Sequence, residues 1–364
     1  MGRSRTPEKG RPVVKTGAVV IETGTGTCKA GFAGQQTPQS VIGTLVGHCT
    51  EKSMRTRRNR PDTFIGEKAR LEPDLDIILP VRHGIIIDWD AAEVLWRHLF
   101  YDHLKVAPED HPLLMSDPPL CPTTNREKLV EVVFESLHSP GMYVAYQSVL
   151  SVYAHVHQGY NLPHAIERMD IAGSNMTSFL MDLLKDMGHY FDDRMLDIVD
   201  DIKHKCCYVA LDFENEWNSH KREYIVDYQL PDGQIIRLGK ERFQCPEMLF
   251  NPPQMPGLSL VGIHGMAQRS LRKIPEETRK EMYENVMLCG GSSLFEGLEK
   301  RFSHELLANL QSNTKVKVSA IPLRKYSVWT GGSVLASLKN FQPCWIKKEQ
   351  YHEHGPYIVH RKCY

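Results

Sequence analysis

Two glycines, Gly24 and Gly26, interrupt the apolar run Val19, Val20, Ile21, and Thr25 and Lys29 stand beside them before apolar residues resume. Residues of these types at this spacing could hold a phosphate. Glycine can take positive φ, which lets successive backbone N–H groups of Thr23 to Thr27 point at one anion, and a lysine ammonium nearby would add charge. Two commoner phosphate loops are excluded. No Gly-Lys-Ser/Thr follows, as a P-loop needs, and Lys29 stands where a dinucleotide fingerprint needs its third glycine. The plain alternative is a glycine-turn hairpin with no ligand. A second candidate is the group His155, His157 and His164, but no cysteine or carboxylate joins them at ligand spacing, so no metal site is expected. A third is Met1-Gly2 with Thr6, the pattern of N-terminal acylation, which with the basic residues around it would make a two-part membrane anchor.

The elements that must position these residues follow from the hydrophobic pattern. Residues 17–34 read as strand, turn, strand, and 41–47 as one further strand. Ile85 to Ile87 are a short apolar run, after which Asp90 is expected to cap a helix with Val94, Leu95, Leu99 and Leu104 on its inner face. Residues 112–117 read as a strand, 125–137 as an amphipathic helix, 142–145 as a strand and 147–154 as a helix. Helices at 172–187 and 192–210 precede a hairpin that turns at Pro231-Asp232-Gly233. A strand, a Gly290-Gly291 turn and a helix with Leu298, Phe302, Leu306 and Leu310 on one face come next. Gly290 and Gly291 could allow close packing of strand on helix, or could admit an anion or nucleotide edge at the helix start. Strands alternating with helices give an α/β fold.

Composition sets limits on function. The chain has 364 residues, 41% hydrophobic and 24% charged, enough for two lobes with real cores. Lys plus Arg equals Asp plus Glu at 44 each, so no global field favours nucleic acid or membrane, and any such partner must use a local patch. One patch is the segment 51–60, with Arg55, Arg57, Arg58 and Arg60, read as a solvated loop, as a contact for an acidic partner or as a nuclear-import patch. Residues 1–16 carry five basic side chains against Glu8 alone and read as a disordered basic tail. The nine cysteines include no C-x-x-C, which points to a reducing compartment. No apolar run is long enough to span a membrane and no secretory signal is expected, so the protein is expected in the cytosol or the nucleus.

The segments VVIETGTGTCKAGFAG, HPLLMSDPPLCPTTNREK, MYVAYQSVLSVYA, LPDGQIIRLGKERFQCPE, LCGGSSLFEG, RKYSVWTGGSVLASL and GPYIVHRKCY occur in the order of the actin family, and from about residue 17 to the C-terminus the chain resembles that family. The resemblance is to a divergent, testis-type actin-like member. It implies an actin-like (ribonuclease H-like) two-lobed fold: a first lobe at 17–154, with about 326–364 packing back onto it, and a second lobe at 155–325. In the family MgATP lies between the lobes. By resemblance Gly24, Thr25, Gly26 and Lys29 form the first phosphate loop, and Gln147 positions the attacking water. Gly173, Lys203, Gly290, Gly291 and Lys325 match contacts to adenosine or phosphates. Two positions depart: Glu22 stands where the family has an aspartate near hydrated magnesium, and His204 replaces a ribose-holding glutamate.

The largest departure follows Ala154, where the chain runs directly into HVHQGYNLPH. The family interposes about twenty residues there, a hairpin of ordinary strand length. With it would go the second phosphate loop, the aspartate above magnesium and a water-orienting histidine, so the second lobe is expected to lack two strands. No cofactor is expected, MgATP binding being weak or absent, and Gln147 would be vestigial. The function implied is an actin-related structural protein of the cytoskeleton, which favours the cytoplasm, a non-hydrolysing scaffold, in the sperm head by resemblance to testis-type members. Its partners would be cytoskeletal or actin-binding proteins. Self-filaments are not expected, because burying the arginines of the 48–61 loop without partners is costly. The alternatives are a polymerising ATPase, and a splice form or incomplete gene product of such a protein.

Overall fold

The structure, a computed structural model, describes residues 17–49, 62–72, 74–155, 162–219, 224–253, 260–308, 310 and 314–363. The basic segment 1–16, the arginines Arg55, Arg57, Arg58 and Arg60, and His157 lie outside the described residues.

The first lobe contains strands β1 (Val19–Thr23), β2 (Thr27–Phe32), β3 (Ser40–Gly43), β4 (Val46–Cys49), β5 (Thr63–Ile65), β6 (Leu75–Ile78), β7 (Val81–Arg82), β8 (Ile85–Ile86), β9 (Leu113–Asp117) and β10 (Gly141–Tyr146). A six-stranded mixed sheet runs from strand Ile346–Lys347 through β10, β9, β1 and β2 to β3. Parallel β10, β9 and β1 form its centre, and the other three strands add antiparallel. Residues 41–47 are two strands, not one. The chain leaves the large sheet at Thr44, whose N–H bonds Gly26 O at 3.1 Å, and enters a small sheet ordered β5, β4, β6.

Both faces of the large sheet are covered, which is why its central strands read as unbroken apolar runs. Successive side chains point to opposite faces. Val19, Ile21, Leu113, Met115, Met142 and Val144 therefore join one core with Leu95, Trp96, Phe100 and Phe134. Val20, Leu114 and Ala145 join the other, with Leu150, Trp329 and Phe341. The segment 327–363 contributes to both cores. Trp329 donates its indole N–H to Val20 O at 2.9 Å.

Helix Trp89–His98 starts at Asp88, not Asp90. The extended backbone of Asp88 lets its carboxylate accept from Ala91 N–H at 2.9 Å, the geometry of a side-chain cap.

Helix Ser327–Ser337 crosses helix Gln147–Tyr153 closely enough that a Cβ on Gly331 would lie 1.6 Å from Leu150 O. Neither backbone can yield without moving its helix. Gly331→Ala is expected to lower the unfolding free energy by about 1–3 kcal/mol through overpacking, read by urea denaturation of the two proteins side by side.

The second lobe is built differently. Helices Gly173–Asp186, Leu196–Cys206, Glu241–Glu247 and Leu298–Leu307 enclose a core of Met176, Leu180, Leu184, Val199, Ile202, Cys245, Leu298, Phe302 and Leu306. The helix expected over 192–210 ends at Cys206. Strands β11 (Val226–Gln229) and β12 (Ile235–Leu238) form the expected hairpin, and β13 (Val286–Met287) pairs parallel with β14 (Val318–Ser319). Among the described residues of this lobe no sheet has more than two strands.

Candidate functional site

The first cluster sits at the carboxyl ends of β9 and β10, where α/β sheets place their ligands. Gln147 begins the helix directly after β10, and its amide lies 3.5 Å from Ser116 Oγ on β9. The turn between β1 and β2 lies on the same side. Neither Gly24 nor Gly26 has positive φ, contrary to the expectation for that turn. The Gly24 N–H closes the turn on Thr27 O at 3.0 Å, so it does not point outward. Thr25 Oγ1 accepts from Gly84 N–H at 2.8 Å, which fixes the turn to the β7–β8 connection.

Lys29 and Glu22 are directly opposite in the β1–β2 ladder, and their side chains meet: Lys29 Nζ is 2.8 Å from Glu22 Oε1, with both side chains about one-tenth exposed. The lysine charge is thus answered within the hairpin. Glu22 Oε2 is buried with no hydrogen-bond partner, an oxygen that water or a hydrated cation would satisfy.

Beside this turn is a cavity of about 20 Å³ lined by Thr23, Ser116, Asp117, Cys121 and Asn125 among others, room for one water. Burial raises the Asp117 carboxyl pKa despite Arg126, whose Nε lies 3.0 Å away. Burial, with Asp117 adding to it, pushes the Cys121 thiol up to about 12, so this cysteine is a neutral thiol and no nucleophile. None of these cavity residues stands out in the sequence, because only the fold brings them together.

The second cluster holds Gly173, Lys203, Gly290, Gly291 and Lys325. A Cβ on Gly173 would meet Ser292 Oγ at 3.6 Å and Lys203 Nζ at 3.7 Å, so the helix start at 173, the glycine turn and Lys203 do converge. Lys203 is nonetheless committed. Its ammonium donates to Gly173 O (3.0 Å), Thr177 Oγ1 (2.7 Å) and the Asp200 carboxylate, one acceptor for each of its three N–H bonds. Burial acts against ionisation of Asp200, but the charge and hydrogen bond of Lys203 outweigh it and hold that carboxyl below its usual range. His204 is exposed, 3.6 Å from Asp200.

Gly290 takes φ of +89°, and a Cβ on either Gly290 or Gly291 would meet nothing within 4 Å. The close approach found nearby is instead at Gly297, just before helix Leu298–Leu307, where a Cβ would lie 2.3 Å from the backbone Val209 O. The space at 290–291 is open to a ligand. Lys325 is exposed, with its ammonium 4.8 Å from the centre of the Tyr326 ring.

The lobes touch through Arg168, which donates to Pro119 O at 2.9 Å and His83 O at 2.7 Å, and through an Arg70 to Asp197 pair at 3.3 Å. What the arrangement offers MgATP is uneven. The first cluster has an uncommitted carboxylate oxygen but a paired lysine. The second has open glycines but a lysine with no N–H left to give. Helix Gln147–Tyr153 is followed by the turn Pro163–Ala165 after a span too short for two strands of ordinary length. The described residues therefore supply no glycine hairpin facing Gly24 to Lys29. Among the described residues no group of three metal-capable side chains occurs, at His155 and His164 or elsewhere.

A family profile described as Actin matches residues 13–157 and again 154–364. The match thus breaks and restarts at 154–157. Among curated proteins, Actin-like protein 9 of Homo sapiens is 55% identical, covering 96% of this chain and 89% of its own length. Actin-like protein 9 of Mus musculus is 53% identical over the same shares, and Actin-like protein 7A of Bos taurus is 42% identical over 99% and 86%. The alignment to the human protein runs over 369 positions, whereas 96% of 364 residues is about 349, so about twenty of its positions have no residue in this chain.

Proposed function

Since the chain belongs to the actin family, we propose that it acts as a non-hydrolysing, actin-related scaffold of the cytoskeleton. The observation that carries this reading is the asymmetry between the lobes: β1 and β2 present a glycine turn from one side, and the described residues of the second lobe form only two-stranded pieces, none of them in the span between Ala154 and Gly173. Phosphoryl transfer depends on positioning and on charge stabilisation from all sides of the γ-phosphate. A turn from one lobe, with Lys29 already paired to Glu22, supplies neither in full. Gln147 would then be a retained residue without a reaction to serve. The sperm-head setting rests on the resemblance to testis-type members alone, and the cytoskeletal or actin-binding partners on the family.

The full chain with magnesium, salt and ATP is expected to release no phosphate above a protein-free control and to show no two-stranded filaments in electron micrographs. Regular filaments, or hydrolysis that Gln147→Ala removes, would replace this reading with that of a polymerising ATPase. A second reading has its own support: the break in the family match at 154–157 and the twenty unmatched positions are also what a splice form or incomplete gene product would show. Sequencing the transcript across Ala154 to Gln158 separates the two.

A further inference from the structure

Away from both clusters, the end of helix Trp89–His98 passes into a π-helical segment, Leu99–Leu104. In an α-helix, residues five apart do not share a face, but the wider π turn brings them into line, and such turns recur at functional sites. Here the residues aligned are His98 and His103. Their Nε2 atoms lie 3.3 Å apart, with ring planes at 74°. A tetrahedral ion with metal–nitrogen bonds of 2.0–2.1 Å holds two nitrogens about 3.3–3.4 Å apart.

The opposite ring nitrogens are already held. His98 Nδ1 is 2.7 Å from Asp102 Oδ2, and since a carboxylate only accepts, His98 carries a proton there; in its neutral form it presents a lone pair at Nε2. His103 Nδ1 is 2.9 Å from the hydroxyl of Ser40, which can donate or accept by rotating. Ser40 is buried on β3, and Gln39 beside it donates to His103 O at 3.4 Å, so the second ring is fixed as well. When Ser40 donates, His103 bonds His98 through Nε2–H. When Ser40 accepts, both Nε2 lone pairs are free and only a cation can sit between them. A carboxylate behind one imidazole and a polar group behind the other is the outer-sphere support that metal-binding histidines carry.

We propose that His98 and His103 form a two-imidazole site for a divalent transition-metal cation of the Zn²⁺ class, with water completing the coordination. Imidazole pairs suit zinc, copper and nickel over magnesium or calcium. Among the described residues no third side chain joins the pair, so the ion is held by two protein ligands and exchanges with solvent. His98 is about one-fifth exposed and Asp102 mostly exposed, which leaves an entry path. The bound ion would clamp the two ends of the π turn together, with His103 Nδ1–H donating to Ser40 at the edge of the large sheet.

The test is equilibrium dialysis of the full chain against Zn²⁺ alone, with His98→Asn, His103→Asn and Asp102→Asn prepared in parallel. Melting curves without metal confirm that each variant folds. Each histidine variant is expected to lose one equivalent of bound Zn²⁺ relative to the parent, and Asp102→Asn to weaken that equivalent about 10- to 100-fold. Cu²⁺ on the parent should give an electron paramagnetic resonance spectrum with two imidazole nitrogens that both histidine variants alter. Unchanged stoichiometry in the two histidine variants would overturn the site, as would a Cu²⁺ spectrum indifferent to them, leaving the pair as a hydrogen bond only. A variant that fails to fold is replaced by His103→Gln, and the same outcomes decide.

Discussion

Arg301→Met is expected to unfold the second lobe at temperatures where the first stays folded, at a cost of about 3–5 kcal/mol. Arg301 is buried in helix Leu298–Leu307 and ties together segments that share no sheet. Its guanidinium reaches Glu247 Oε1 at 3.1 Å, Glu305 Oε1 at 2.6 Å and Ala210 O at 2.8 Å, and stacks 4.8 Å from the centre of the Phe250 ring. Methionine keeps much of the volume but leaves Glu247, equally buried, without its counter-charge. Amide hydrogen exchange should show protection lost across 162–319 and kept in β1, β9 and β10.

The pH dependence of that variant follows from Glu247. Burial already raises its carboxyl pKa, with Arg301 pulling it back down. Removing the arginine raises it further, so the folded variant binds this proton more tightly than the unfolded chain does. A carboxyl raised on folding costs its full amount of stability above its folded pKa; the cost declines as pH falls through that value and is gone below the unfolded pKa. The deficit of Arg301→Met should therefore shrink as pH falls through the folded variant's Glu247 pKa toward the unfolded value. Adding Glu247→Gln should remove most of the pH dependence, and a deficit that grew on acidification would contradict the assignment.

Where one element decides its own conformation, the sequence was sufficient. Val19 to Ile21 and Leu113 to Met115 are apolar at every position because both sheet faces are covered, and Pro231-Asp232-Gly233 turns the β11–β12 hairpin with Gly233 at φ +89°. Asp88 and Asp90 were harder to separate, since both are good caps and the choice depends on which carboxylate reaches Ala91 N–H. The site was less legible still. Gly24, Lys29, Gln147 and Lys203 were visible as types, but their commitments were not. Lys203 finds Thr177 across another helix, and Lys29 finds Glu22 only once the β1–β2 register is set. Asp117, Cys121 and Asn125 line their cavity because a strand end, a loop and a helix converge there. Gly290 and Gly297 look alike in sequence, yet only Gly297 is pressed against backbone.

Heating the full chain with MgATP is expected to leave its melting temperature almost unchanged, whereas a competent site would move it far. A ligand at a hundredfold excess over its Kd stabilises the folded state by about 2.7 kcal/mol. For a lobe of roughly 150–250 residues each kcal/mol is about 2–4 °C, so a working site would give about 5–10 °C. Three features of the chain argue against it. The Gly24 N–H is turned in to Thr27 O, Lys29 is paired with Glu22, and all three Lys203 N–H bonds are spent on Gly173, Thr177 and Asp200. A triphosphate entering the cleft would leave much of its charge unpaired, which offsets whatever the open turn at Gly290 and Gly291 contributes. Inserting a family-type hairpin of about twenty residues between Ala154 and Gln158 should bring opposing donors and a carboxylate, and with them the missing shift of about 5–10 °C. Lys29→Ala in that longer chain should abolish it, because the triphosphate would lose the ammonium that it could otherwise draw from Glu22. A shift of several degrees in the unaltered chain would show that the first lobe and the open glycines suffice, and the scaffold reading would give way to that of a nucleotide-binding filament former.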